Sequence, residues 1–215
     1  MVQYKCFYFN ELRVCTYIVW DETRECVIID AGCQSESEQQ RLVKFIKEQQ
    51  LKPVKLLCTH AHFDHILGYD FVCKTFNIAG WMHQSELPTF ERSAQYALFF
   101  GLQIQQTKLP AHILEEGVPV LFGASHLEVI HTPGHSAGSV CFYAKTGNVL
   151  FSGDTLFDKD VGRTDLPGGS TEELMNSIAA KLMVLPDDTV VCPGHGLATN
   201  IGSERYGNPY IEGIR

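Results

Sequence analysis

The stretch Thr59-His60-Ala61-His62-Phe63-Asp64-His65 sets three imidazoles and a carboxylate into six consecutive positions. Neutral imidazole and carboxylate are the ligands that zinc and iron take from proteins. A helix would spread these side chains around its circumference, out of reach of any one ion. A loop leaving a strand can bring His60 and His62 to one ion while Asp64 and His65 turn to a second. The plain alternative is a solvated polar loop with a few core histidines.

Three further sites argue against that alternative. His135 lies in Thr132-Pro133-Gly134-His135-Ser136, Asp154 in Phe151-Ser152-Gly153-Asp154-Thr155, and His195 in Cys192-Pro193-Gly194-His195-Gly196. Each follows a glycine, with an apolar stretch just upstream. Glycine supplies unusual backbone angles and lets main chains approach closely, so each side chain reads as presented from a tight turn at a strand end.

In these motifs the chain resembles the metallo-β-lactamase superfamily, and within it the short glyoxalase II-like hydrolases. The resemblance runs over nearly the whole chain. It rests on His60-x-His62-x-Asp64-His65, Gly134-His135-Ser136, Gly153-Asp154-Thr155-Leu156-Phe157 and Gly194-His195-Gly196. Gly162-Arg163-Thr164-Asp165 is typical of the glyoxalase II-like and persulfide dioxygenase branches. The ending Ser203-Glu204-Arg205-Tyr206-Gly207-Asn208-Pro209-Tyr210 resembles the close of the short bacterial enzymes. Full-length glyoxalase II carries an extra C-terminal helical domain that grips glutathione. This sequence runs only to Arg215, so glutathione specificity is not expected to be strong.

The resemblance implies an α/β fold, the αββα sandwich of two mixed β-sheets with external helices, as a single domain over 1–215. It implies two divalent metal ions, zinc first and iron or manganese next. His60, His62 and His135 would hold one ion, and Asp64, His65 and His195 the other. Asp154 would bridge them, since its two oxygens can serve two cations. Asp64 and Asp154 are thereby the catalytic carboxylates. The expected nucleophile is a hydroxide between the ions, attacking the carbonyl of a small thioester such as S-(2-hydroxyacyl)glutathione. A thiolate leaves readily, so little acid assistance is needed. No Gly-x-Ser-x-Gly motif is present to supply a serine nucleophile. The alternatives are a persulfide dioxygenase-like enzyme with one iron, or another hydrolase of the superfamily. A β-lactamase fits less well, because the best-known subclass replaces the positions of His65 and Asp154 and is secreted. A non-catalytic binding module fits poorly with seven ligand positions retained.

Outside the metal ligands, Arg163 is the candidate to bind a substrate carboxylate through its bidentate fork. Its plain alternative is an ion pair with Asp165 or Asp160. Phe157 lines the acyl pocket or belongs to the core. His83, His112, His126 and His131 lack a ligand-like glycine neighbour and read as structural or surface residues, with His83 and His131 best placed to support a ligand.

Composition excludes several classes. A chain of 215 residues suits one large domain with a sizeable core. A net charge of −8 with no basic run argues against nucleic acid. No apolar stretch of membrane-spanning length occurs, and the start shows no signal peptide. The eight cysteines form no C-x-x-C pair and several lie in apolar runs. They read as reduced core thiols of a cytoplasmic protein, with Cys33 and Cys192 beside loops as the ones open to reaction.

Apolar patterning predicts a strand hairpin over 14–20 and 25–30, a helix over 36–49, a strand over 54–59, and a helix from about Asp64. Strands follow at 78–82, 118–122 and 126–131, then a hairpin of 139–144 with 149–151. A helix over 171–184 and a last strand over 189–192 complete the pattern. The span 84–115 reads as a packing helix or a wall of the substrate groove. Phe99 and Phe100 there are candidate contacts of a homodimer, and a monomer is equally compatible.

Overall fold

The computed structural model describes residues 1–102, 104 and 109–212. Backbone contacts divide the chain into two compact units. One comprises Met1–Leu114 with Leu121–His126, and the other Glu115–Val120 with Leu127–Arg215.

The first unit runs β1 (Gln3–Phe9), β2 (Val14–Trp20), β3 (Glu25–Ile29), α1 (Glu36–Glu48), β4 (Lys52–Leu57), α2 (Tyr69–Phe76), β5 (Gly80–His83), α3 (Leu87–Phe99) and β6 (His112–Leu114). Its sheet is ordered β1-β2-β3-β4-β5-β6. β1, β2 and β3 pair antiparallel, while β3 through β6 pair parallel. Every residue of β2 is buried, which suits its Val, Ile, Tyr and Trp content. Phe9, Ile18, Ile28, Leu42, Leu56 and Phe90 belong to one core cluster. α1 starts at a capping box, in which the Ser35 side chain accepts from the Glu38 N–H and the Glu38 carboxylate reaches back to the Ser35 N–H. One turn separates its buried residues Leu42 and Ile46. Each contributes about 2 kcal/mol through burial.

The second unit carries the sheet ordered β14-β13-β10-β9-β8-β7. Its strands are β7 (Val120–Phe122), β8 (Ser125–His131), β9 (Val140–Ala144), β10 (Val149–Gly153), β13 (Val190–Pro193) and β14 (Thr199–Asn200). The tip of the β7–β8 hairpin, Leu121–His126, belongs to the first unit. β8, β9 and β10 pair antiparallel in turn, β10 pairs parallel with β13, and β13 pairs antiparallel with β14. A two-stranded ribbon of β11 (Leu156–Phe157) and β12 (Asp160–Val161), with helices α4 (Thr171–Ser177) and α5 (Ile201–Gly207), completes it. Its core gathers Cys141, Leu150, Leu174, Ile178, Val191 and Ile201. Both sheets are mixed, as expected.

Several boundaries differ from the sequence expectation. The segment from Asp64 is a 3-10 turn over Phe63–His65, and α2 begins only at Tyr69. Gly68 explains the delay. Its N–H donates to the Ala31 carbonyl at 2.7 Å, and a Cβ there would stand 2.4 Å from the Cys33 sulfur. The chain is pinned to the Ala31–Cys33 segment before a helix can start. The helix expected over 171–184 is α for its first seven residues and then a π-helical stretch, Ile178–Leu182, which keeps Ile178 and Leu182 buried. β13 is not the last strand, because β14 returns along it. The apolar pattern gives no signal for β1, β6, the β11–β12 ribbon or α5. Within 84–115 the helix is present as α3, which buries Phe90 and Ala97 but leaves Leu98, Phe99 and the following Phe100 exposed, and residues 103 and 105–108 lie outside the described residues. Among the described residues no helix is long and apolar enough to cross a membrane.

Candidate metal centre

In the first unit β4 lies between two parallel neighbours, β3 and β5, and the histidine loop leaves its C-terminal end. Asp30 follows β3 with φ of +53°, a left-handed conformation that Asp tolerates better than most residues. This turn points its carboxylate beneath the loop. Asp30 Oδ1 accepts the Thr59 N–H at 2.8 Å, and Oδ2 accepts the Thr59 hydroxyl at 2.7 Å. The same Oδ2 lies 3.0 Å from His65 Nδ1. His60 Nδ1 lies 3.0 Å from Thr59 Oγ1.

Tautomers follow from these contacts. A carboxylate accepts, so His65 Nδ1 carries its proton. The Thr59 hydroxyl gives its only proton to Asp30, so it accepts from His60 Nδ1–H. Both rings therefore direct an unprotonated Nε2 away from the Asp30 network, the state a metal ion requires. The ring of His60 lies 4.7 Å from that of His62 and 4.1 Å from that of His65, centroid to centroid. Asp64 Oδ2 is 3.7 Å from His65 Nε2. His60 and His65 are buried.

In the second unit β8, β10 and β13 run in one direction, and a predicted ligand follows each of them. Gly134 adopts φ of +136°, and a Cβ there would stand 2.1 Å from the Leu174 nitrogen, so only glycine lets this turn approach α4. His135 then donates Nδ1–H to the Arg163 carbonyl at 2.8 Å, which again leaves Nε2 to coordinate. That Nε2 is 3.7 Å from Asp154 Oδ2, and His195 Nε2 is 3.6 Å from the same oxygen. Asp154 follows Gly153, whose φ is +51° and whose carbonyl accepts the Gly194 N–H at 2.7 Å. That bond ties together the turns that carry Asp154 and His195.

The predicted ligands thus fall into two sets, one per unit: His60, His62, Asp64 and His65, then His135, Asp154 and His195. Their chemistry suits a divalent ion, being neutral imidazole and carboxylate throughout. The thiol of Cys58 is no rival ligand, because burial pushes it well above its usual range. The Arg163 side chain is exposed and makes a bidentate pair with Asp165, both bonds being 2.7 Å, whereas Asp160 is not its partner. This pair holds the Asp165 carboxyl down to about 2. Arg163 touches the predicted ligand His135 through its backbone carbonyl, a contact that side-chain reasoning does not reach. Phe157 is half-buried in the β11–β12 ribbon.

Of the remaining histidines, His126 is exposed and the other three hold structural contacts. His83 Nδ1 accepts the Ser85 N–H at 3.3 Å, the His112 ring stacks on Trp81 at 4.2 Å, and His131 Nε2 bonds the Ala137 carbonyl at 3.1 Å. Burial pushes the Cys33 thiol up to about 12, against the expectation that it is open to reaction. Sequence reasoning gave no role to Asp30 or to the side chain of Thr59. The available signal was a carboxylate closing an apolar strand before two small residues, Ala31 and Gly32.

Comparison with known proteins shows the family. The family model of the metallo-beta-lactamase superfamily matches residues 10–195. A probable metallo-hydrolase of Bacillus subtilis, YqgX, is 40% identical over 191 residues, covering 88% of this chain and 89% of its own. The hydroxyacylglutathione hydrolase GloC of Haemophilus influenzae is 35% identical over 196 residues, covering 90% and 91%. Among solved structures, the B3 metallo-beta-lactamase BLEG-1 superposes with a TM-score of 0.91 at 38% identity, covering 98% of this chain and 100% of that one. TTHA1623, in a di-iron-bound form, superposes with a TM-score of 0.86 at 37% identity, covering 96% and 99%. Ligand motifs, two mixed sheets and near full-length similarity agree, and the chain belongs to the metallo-β-lactamase superfamily, with its α/β fold and its metal-dependent hydrolase chemistry.

Proposed function

We propose that the two units form one catalytic domain, and that it hydrolyses small thioesters at a two-metal centre. His60, His62 and His135 hold one ion, Asp64, His65 and His195 hold the other, and Asp154 serves both. The observation that carries this reading is Asp154 Oδ2, set almost equally, 3.7 and 3.6 Å, from the Nε2 atoms of two histidines assigned to different ions. Two divalent ions, when bound, supply a nucleophile from water at neutral pH and positive charge for the oxyanion of an attacked carbonyl.

The chain's own residues set the conditions. Asp30 and the Arg163 carbonyl fix His65 and His135 as Nε2 donors. Asp64 and Asp154 bring negative charge that offsets the cations. Arg163 binds a carboxylate on the substrate. Its Nε and Nη2 are held by Asp165, so the Nη1 side meets the ligand. Phe157 borders the acyl group. S-(2-hydroxyacyl)glutathione is the leading substrate, supported by the similarity to GloC. Zinc is the first metal, and the di-iron form of TTHA1623 keeps iron next. The protein works in the cytoplasm, where its eight cysteines stay reduced.

The test is elemental analysis together with a substrate panel. Two ions per chain and turnover of S-lactoylglutathione or other small thioesters are expected. One reproducible iron per chain, with oxygen uptake on a persulfide and no thioester turnover, replaces this reading with the dioxygenase.

A further inference from the structure

Asp30 is not the only buried carboxylate beneath the histidine loop. Glu86 is 0% exposed. It ends a 3-10 turn, Gln84–Glu86, that begins where β5 stops and is capped by His83 Nδ1. Its Oε2 accepts the Ala61 N–H at 2.8 Å. Ala61 is the residue between His60 and His62, and it is itself fully buried. β4 ends at Leu57 and makes its last sheet contact when Cys58 N–H donates to the Trp81 carbonyl at 2.9 Å. Beyond that point the loop has left the ladder, and the Ala61 N–H depends on a side chain. An unmet buried amide is costly, so this bond fixes the backbone between two ligands.

A neutral acceptor would meet that need more cheaply. Glutamine offers the same carbonyl oxygen at the same reach without the desolvation cost of a carboxylate. A carboxylate at this place adds negative charge beneath the loop that glutamine would not. The neighbouring imidazoles are neutral when they coordinate, so the charge of two dications is met by carboxylates, Asp64 and Asp154 as proposed ligands with Asp30 and Glu86 behind the loop. We infer that Glu86 is a positioning residue of the metal centre, holding Ala61 N–H so that His60 and His62 keep their spacing and supplying negative charge beneath them. This rests on the assignment of His60 and His62 as metal ligands, and not on the identity of the substrate. Asp30 from β3 and Glu86 from beyond β5 then brace the β4 loop from both sides.

The experiment uses the full chain as wild type, Glu86→Gln and Glu86→Ala. Zinc affinity is measured by chelator competition, the d–d spectrum is recorded after cobalt loading, and the metal-free melting temperature is taken separately. Glu86→Gln keeps an acceptor for Ala61, so its metal-free melting should stay close to wild type. Its zinc affinity should fall by at least about tenfold, the usual scale for groups that support ligands, and its cobalt spectrum should change. Glu86→Ala should lose both metal affinity and thermal stability. Wild-type zinc affinity and spectrum in Glu86→Gln refute the role of its charge, and wild-type zinc affinity in Glu86→Ala as well overturns the inference whole. These readouts need no substrate, so an inert thioester panel with a strong Glu86 effect defeats the proposed reaction alone. If the variants do not fold, or no metal binds tightly, amide exchange in the metal-free wild type decides. A slowly exchanging Ala61 N–H supports the hold by Glu86, and exchange at the rate of an exposed loop amide refutes it.

Discussion

Asp30→Asn separates the two jobs of the network under the histidine loop. The carboxylate meets three donors: the Thr59 N–H at 2.8 Å, the Thr59 hydroxyl at 2.7 Å and His65 Nδ1–H at 3.0 Å. Asparagine is nearly the same shape and tolerates the φ of +53° at this position. Its amide offers one oxygen, and its NH2 must face at least one of those donors. One buried donor then loses its acceptor, at a cost of about 1–3 kcal/mol. For a chain of this size that lowers the melting temperature by roughly 2–12 °C. If the NH2 faces His65, the imidazole is driven to the other tautomer, with a proton on the nitrogen meant for metal. Zinc affinity should then fall about 10- to 100-fold. Melting of metal-free protein reads the first effect and chelator competition the second, and they must be kept apart because bound metal adds its own stability. Unchanged melting together with zinc affinity within about twofold of wild type would falsify the tautomer argument.

Asp154→Ala should reduce thioesterase activity by several orders of magnitude and reduce metal content below two ions per chain, whereas His126→Ala, at an exposed position of β8, should retain near-normal turnover. Arg163→Ala should raise KM for carboxylate-bearing thioesters more than it lowers kcat, and should leave melting unchanged because the pair it breaks with Asp165 is exposed. Arg163→Lys should recover only part of that loss, since a point charge does not copy the fork; an unchanged KM for every such substrate removes Arg163 from the site. In native protein treated with iodoacetamide at pH 8, mass spectrometry should find Cys6 modified first. A hydrogen bond from Cys15 lowers the half-buried Cys6 thiol, while burial pushes Cys26 and Cys33 up to about 12. At that pH roughly one part in ten thousand of the two buried thiols is thiolate, and early labelling of Cys33 contradicts the burial argument.

Among the proposed ligands, His135 and Asp154 were legible in the sequence because each follows a position that the backbone restricts, and the histidine loop because four of them crowd into six positions. Gly134 must be glycine to pass Leu174, and Gly153 must reach a positive φ before Asp154. Such constraints leave a mark in the residue next door. Supporting groups leave no such mark. Asp30 meets Thr59 across 29 positions and Glu86 meets Ala61 across 25, and nothing in the intervening chain announces either bond. Glu86 even lies in a polar run, His83-Gln84-Ser85-Glu86, with no glycine beside it. The helix boundary at Tyr69 was hidden for the same reason, because the contact that delays it lies between Gly68 and the distant Ala31–Cys33 segment. Length and apolar period located α1 and the buried strands, since those depend on near neighbours alone.

Strand direction explains why residues far apart in sequence gather at one edge of the sheet within each unit. In the first unit β3, β4 and β5 are parallel neighbours, so their C-terminal ends fall at one edge of the sheet and deliver Asp30, the histidine loop and Glu86 together. In the second unit β8, β10 and β13 share a direction, and His135, Asp154 and His195 follow their ends in turn. An antiparallel neighbour would have sent its loop to the opposite edge. The chain reaches β10 from β8 through the antiparallel β9, whereas β3 to β4 and β10 to β13 each need a crossover, whose helices α1 and α4 bury the apolar faces that hold the strands in register. Changes within those helices should act on stability first. Changes in the short turns just beyond the strand ends should act on metal affinity first, because there the backbone itself sets the ligand spacing.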